Sequence, residues 1–260
     1  MKRKLQNTTR DKGPALIALG VLLALWSAAC LLELVPRYML PAPWEVAQAF
    51  VREAPLLLEH SVITLQEAFY GLAIGVGLGF AFAAVMDAWE FLCRALYPIL
   101  LLTQTIPTVA IAPLLVLWFG YEMAPKIILI VIVTFFPVTV GLLEGFRGAD
   151  RDAVDLLRSM GASPFQIFRY IKFPSALPQF FSGLRIAAAY AVVGAVISEW
   201  LGGFGGLGVY MTRVKQAFAF DKMFAVIFLI SAISLGLMAL VHWAERRCMP
   251  YRDTKGELKK

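Results

Sequence analysis

Six apolar stretches recur along the chain, at about 14–35, 62–86, 95–119, 126–143, 183–201 and 223–243. A helix rises 1.5 Å per residue, so ~20 apolar residues match a hydrocarbon core of ~30 Å. Backbone polar groups find no water in that medium, and a helix satisfies them internally. The pattern therefore predicts an all-α polytopic membrane protein with about six transmembrane helices. It reads as one membrane domain over 1–260. Its parts are a basic N-terminus at 1–13, spans one to four within 14–143, a polar loop at 144–182, spans five and six within 183–243, and a tail at 244–260.

The polar loop is the one long interior segment that lipid could not absorb. Arg147, Asp150, Arg151, Asp152, Asp155, Arg158, Arg169 and Lys172 exclude a lipid-facing span. The loop nevertheless has helical periodicity. Between Arg151 and Met160, the residues Ala153, Val154, Leu157 and Met160 share one face, and Asp152, Asp155, Arg158 and Ser159 the other. Gly161 stands where a helix ends in a left-handed residue. Ser163-Pro164-Phe165-Gln166 reads as a capping box with proline at the first helical position. A second short helix with Phe165, Phe168 and Ile171 on one side should stop at Phe173, because Pro174 disfavours helix at the residue before it. Two short amphipathic helices hinged at a glycine make a docking element.

Within the spans, Gly71, Gly75, Gly77 and Gly79 form a small-residue face, suited to close helix packing within the subunit or, less directly, to dimerisation. The third stretch contains Thr103-Gln104-Thr105-Ile106-Pro107. Proline removes a helical hydrogen bond, and the freed carbonyl must face protein or a watery cavity. Thr103, Gln104, Thr105 and Pro107 are thus candidates for a translocation path, against a simple kink with threonines bonded to their own helix. Glu199 ends the fifth stretch and needs a partner. Arg213, the backbone of the glycine run 202–208, and a bound substrate are the three available. That run reads as flexible backbone. It is no phosphate loop, lacking both Gly-x-Gly-x-x-Gly and a Gly-Lys-Ser/Thr ending.

Composition fits this picture: 60% of residues are hydrophobic and the mean hydropathy is +0.72. The net charge of +6 is unevenly placed. With the N-terminus inside, eighteen of the 24 Lys and Arg fall on the inner side, as the positive-inside rule asks. Basic tails at an inner membrane surface face anionic lipid rather than nucleic acid. Cys30, Cys93 and Cys248 lack metal-ligand spacing.

The polar loop resembles the cytoplasmic "EAA" coupling loop of permease subunits of bacterial ABC importers. That pattern is Glu-Ala-Ala, three residues, Gly, nine residues, Ile, one residue, Leu-Pro. Here Asp155-Leu156-Leu157, Gly161, Ile171 and Phe173-Pro174 hold its spacing, with Asp for Glu, two leucines for alanines, and Phe for Leu. The resemblance spans about residues 40 to 245 and is strongest to permeases for nitrate, taurine, sulfonates and thiamine- or riboflavin-related compounds. It implies a homodimer in the bacterial cytoplasmic membrane with both termini cytoplasmic. An ATPase subunit would dock on Asp155, Leu156, Leu157, Gly161, Ala162, Ser163, Ile171 and Pro174, and an extracytoplasmic binding protein would deliver the solute. ATP would be bound by the partner, leaving this chain without a cofactor of its own. The Glu199-Trp200-Leu201-Gly202-Gly203 and Gly206-Leu207-Gly208 segments look most like permeases for the pyrimidine precursor of thiamine, then riboflavin, then sulfonates, taurine or nitrate.

Enzyme chemistry finds little support. His60 and His242 stand apart without metal-binding spacing, and an interfacial position suits both. No nucleophile–base constellation or metal site is expected, and the loop carboxylates read as a solvated helix face. A stand-alone secondary transporter or a polytopic membrane enzyme are the competing classes. Neither would need the docking loop.

Overall fold

The computed structural model describes residues 2–36 and 39–249, with side chains from Gly13 onward except at 15–16. Arg37 and the basic residues beyond Met249 lie outside the described residues. Among those described, helices account for all regular structure. In chain order they are α1 (Lys2–Leu31), α2 (Pro43–Arg52), α3 (Ala54–Ala88) and α4 (Glu90–Thr105). There follow α5 (Thr108–Phe119), α6 (Met123–Arg147), α7 (Arg151–Ser159) and α8 (Pro164–Ile167). A π-helical turn (Phe168–Lys172) leads into α9 (Phe173–Leu201), and α10 (Leu207–Gln216) and α11 (Phe220–Cys248) are the last of the described elements.

Among the described residues, four helices are long and apolar enough to cross a membrane, or five if the bent pair α4–α5 counts as one broken span. The expected six differ from this at three places. The apolar part of α1 among the described side chains is Ile17–Leu31. It ends before residue 35 in a Schellman motif, with Glu33 at φ +50°, Glu33 N–H on the Cys30 carbonyl and Leu34 N–H on that of Ala29. The third stretch is broken, not kinked: α4 and α5 meet at 95° across Ile106-Pro107. The fifth starts far earlier than residue 183, in a 38-residue helical run from Pro164 to Leu201.

The chain divides into two units. One comprises residues up to 58 together with 210–229. In it, the Trp26 indole donates to the Pro41 carbonyl at 3.1 Å and its ring lies 5.9 Å from those of Phe224 and Phe228. Val46 and Ala49 of α2 pack on Ala225. Pro43 opens α2, and Glu45 reaches back to the Ala42 N–H at 2.8 Å. Glu53 accepts from Lys222 at 2.6 Å and from the Tyr210 hydroxyl at 3.1 Å. The Lys222 hydrogen bond holds the Glu53 carboxyl below its ordinary range, whereas burial, then Glu53 itself, pushes the Tyr210 phenol up.

The second unit, 59–209 with 230–260, is built on the α6–α9 pair. Lipid gives helices no hydrophobic reason to associate, so contact rests on close van der Waals packing. Small residues permit it. Gly183 of α9 leaves no room for a Cβ against the Pro137 carbonyl of α6, and Gly141 sits 2.8 Å (as a virtual Cβ) from the Gln179 carbonyl. Gly145 meets Ala176 in the same way. On the other side of α6, Gly71, Gly75 and Gly79 of α3 seat against Ile130, Thr134 and Val138. These three glycines are consumed by packing inside the subunit, whereas Gly77 faces open space and does not belong to that face. Around them lie the buried Ala83, Met86, Leu142, Leu143, Phe146 and Ala187.

Gly183→Leu should push α9 off α6, because the obstructing group is backbone and cannot rotate away. Overpacking costs typically 1–3 kcal/mol where side chains can adjust, and more against a carbonyl. The expected result is a clear loss of thermal stability in detergent, read by a scanning melt. A melt unchanged from wild type would contradict the packing.

Candidate functional site

The polar interval folds as two capped helices. Asp150 caps α7 by accepting the Asp152 N–H at 3.0 Å. At the far end Gly161 takes φ +82°, donating to the Arg158 carbonyl at 2.9 Å while Ala162 donates to Leu157 at 3.0 Å. These bonds form a Schellman closure, and the left-handed φ is what glycine supplies cheaply. Ser163 and Gln166 then form the reciprocal capping box, at 2.7 and 3.3 Å. Asp155, Leu156, Leu157, Gly161, Ala162 and Ser163 are therefore held in one well-defined hairpin. Leu157 is half-buried, whereas Leu156 is 63% exposed.

The second helix does not stop at Phe173. A π-turn from Phe168 to Lys172 carries the chain through Pro174 into α9, with the Phe173 N–H bonded five residues back to Phe168. The extra residue shifts the ladder and lets the helix continue into a proline that lacks a donor. It also rotates the face pattern. Phe165 is exposed and Ile167 buried, although a strict 3.6-residue period places Phe165, Phe168 and Ile171 together. Met160, at the helix end, is likewise exposed.

Of the candidate path residues, Thr103 and Thr105 hydroxyls bond back to Leu100 and Leu102 carbonyls at 2.7 and 2.8 Å. They satisfy their own helix before its break. Gln104 and Pro107 instead line open cavities. One, of about 400 Å³, runs along α6 and α9 past Pro137, Glu144, Gln179 and Ser182. The other, of about 290 Å³, lies beside Pro107, Thr108 and Gly194. Gln104 and Tyr190 line both. Glu144 is the sole ionisable side chain among the lining residues of either, apart from the Tyr190 phenol. Tyr190 was not legible as a site residue, being one aromatic in an apolar stretch.

Glu199 belongs to a different place. Its two oxygens accept from the Thr64 hydroxyl at 2.8 Å and from the Gly208 N–H at 2.5 Å. Thr64 in turn accepts the Leu207 N–H at 2.9 Å, and His60 Nδ1 accepts that of Gly206 at 3.0 Å. Three successive donors at the start of α10 are thus capped by side chains from α3 and α9. A carboxylate there also faces the positive end of the helix dipole. Gly206 sits at φ +114°, and a Cβ on Gly206 or Gly208 would overlap the Glu199 carboxyl. The glycine run is accordingly a fitted segment rather than slack backbone. His60 is buried within the protein, and as an acceptor at Nδ1 it carries its proton on Nε2. Next to this cap, Lys126 pairs with Glu67 at 2.5 Å, both almost fully buried. Among the described residues no group of acidic, Cys and His side chains could hold a metal.

Apolar spans with a capped polar hairpin spliced into one of them describe a polytopic membrane protein with a structured polar elbow. Residues 74–249 match the family of binding-protein-dependent transport system inner membrane components, and the chain belongs to that family. It is a multi-pass inner-membrane permease of the ABC importer type. A probable ABC transporter permease protein from Haemophilus influenzae is 39% identical over 89% of this chain and 95% of its own. The formylaminopyrimidine transport permease protein ThiX of Halalkalibacterium halodurans is 36% identical over 89% of this chain and 93% of its own. A crystal structure of an amino acid ABC transporter shares the fold, with TM-score 0.64 at 18% identity, covering 77% of this chain and 97% of that one.

The cap makes a graded prediction. In Glu199→Gln the amide oxygen can still accept from Gly208, and the amide nitrogen can donate to Thr64, whose hydroxyl turns to the His60 carbonyl at 3.2 Å. That variant should assemble and melt close to wild type. Glu199→Ala removes the acceptor of the buried Gly208 N–H, at about 1–3 kcal/mol. Its melting temperature should fall by several degrees, on the order expected for such a loss. An alanine variant as stable as wild type would remove Glu199 from this role.

Proposed function

We propose that two copies of this permease form the translocation pathway of an importer energised by a separate ATPase, with an extracytoplasmic binding protein delivering the solute. The observation that carries this reading is the hairpin α7–α8. Leu156, Met160 and Phe165 are 63%, 73% and 71% exposed on helices whose ends are locked by caps. A rigid polar element that keeps large apolar side chains outside any membrane is a surface built for a protein partner. Asp155, Leu156, Leu157, Gly161, Ala162 and Ser163 belong to that contact. Ile171 and Pro174, in and after the π-turn, join it to α9. Both termini lie in the cytoplasm with the hairpin, and the glycine segment faces outward.

The solute passes along the α5–α6–α9 face, across Gln104 and Tyr190. Cavities of about 400 and 290 Å³ suit a small ligand. Their linings offer amide, hydroxyl and phenol groups with one carboxylate and no Lys or Arg. A sulfonate or nitrate would find no counter-charge there. A neutral or weakly basic heterocycle such as an aminopyrimidine would find hydrogen-bond partners and an aromatic face. The relative named for formylaminopyrimidine transport supports this choice.

Two measurements check the reading. Single cysteines at Ser159 and Lys215, in a background free of native cysteines, should label from opposite sides of the membrane, Ser159 only from the cytoplasm. Labelling of both from outside would refute the topology. In proteoliposomes with ATPase and binding protein, Gln104→Leu should lower aminopyrimidine uptake about five- to tenfold, the value of one lost hydrogen bond. Unchanged uptake would take Gln104 off the path.

A further inference from the structure

The polar hairpin is fastened to the spans by more than chain continuity. At the π-turn, Lys172 donates to both oxygens of Asp87, at 2.9 and 2.8 Å. Asp87 stands at the end of α3, and the side chains are only 10% (Asp87) and 26% (Lys172) exposed. On the same elbow, Phe168 packs on Phe146 of α6 with ring centroids 5.2 Å apart, and Phe173 on Phe80 of α3 at 6.0 Å. A cavity of about 470 Å³ opens beside the pair, lined by Asp87, Arg158, Phe165 and Lys172 among others. The elbow is thus anchored on two neighbouring spans while its outer side has free space. The Lys172 ammonium is shared between both Asp87 oxygens, a half-shielded charge-assisted contact that ties the elbow to α3. Neither the caps nor the apolar core requires it.

We propose that Lys172 and Asp87 form a strut that transmits movement of the α7–α8 hairpin to α3, so that both α3 and α9 follow the ATPase. The pair is a positioning device and touches neither solute nor nucleotide. Its loss leaves the elbow held on α3 and α6 by its aromatic contacts alone, and ATP hydrolysis then runs with less transport per turnover. This inference rests on the hairpin being the ATPase-docking surface, which a cross-link can test separately.

The experiment uses the complete transporter in proteoliposomes and reads ATP hydrolysed per solute imported, together with the amount of assembled complex. The variants are Asp87→Asn, Lys172→Met and the exchange Asp87→Lys with Lys172→Asp. Asp87→Asn is the more informative single change, because Arg158 lines the same cavity and could replace Lys172. Each single variant should assemble normally and raise the ATP-to-solute ratio about fivefold, with the exchange returning most of the loss, as coupled neighbours do. A ratio equal to wild type in both singles overturns the strut. So does a fall in assembled complex that accounts for the lost transport, since the pair would then be only a fold contact. A photoactivatable cross-linker on Cys introduced at Ser159 should capture the ATPase in every variant. Its failure in the wild-type background would overturn the docking surface and the strut with it.

Discussion

Three departures from regular helix among the described residues answer to one constraint: no backbone donor or acceptor can be left unpaired where water is scarce. Where α10 starts, the donors of Gly206, Leu207 and Gly208 are taken by His60, Thr64 and Glu199. Where Pro174 interrupts the ladder, a π-turn shifts the register. Where Pro107 breaks it altogether, the hydroxyls of the two threonines before it turn back on the Leu100 and Leu102 carbonyls. Gln104, between those threonines, is left to face the cavities.

Helix α9 gathers most of what matters for transport. Its glycines bring it onto α6, its Tyr190 lines the open face, its last turn supplies Glu199, and its first turn is continuous with the docking hairpin. Separate helices linked by flexible loops could hold the same groups, but they would not move them together. The unbroken backbone makes the hairpin, the open face and the α10 cap parts of one body.

Local signals read well from sequence. The Gly161 turn and the Ser163–Gln166 box are written in four or five adjacent residues, and both are found with the expected bonds. The small-residue face of α3 was equally visible, and its use inside the subunit follows from its neighbours on α6. The π-turn was hidden because the proline rule presumes an unshifted ladder. The cap of α10 was hidden for another reason: Thr64 and Glu199 are 135 residues apart, and no local pattern ties them. A hint was present all the same. Glu67 within an apolar stretch and Lys126 at the start of another are the kind of charges lipid forbids unless they meet.

The 38-residue run from Pro164 to Leu201 is long for what it crosses. At 1.5 Å per residue its contour is roughly 57 Å, nearly twice a ~30 Å hydrocarbon core. Close packing of Gly183 on the Pro137 carbonyl and the bond from Thr64 to Glu199 fasten it to α6 and α3 along its length. The run is thus a spine: it joins the hairpin at one end to the α10 cap at the other, and its neighbours are attached to it on the way.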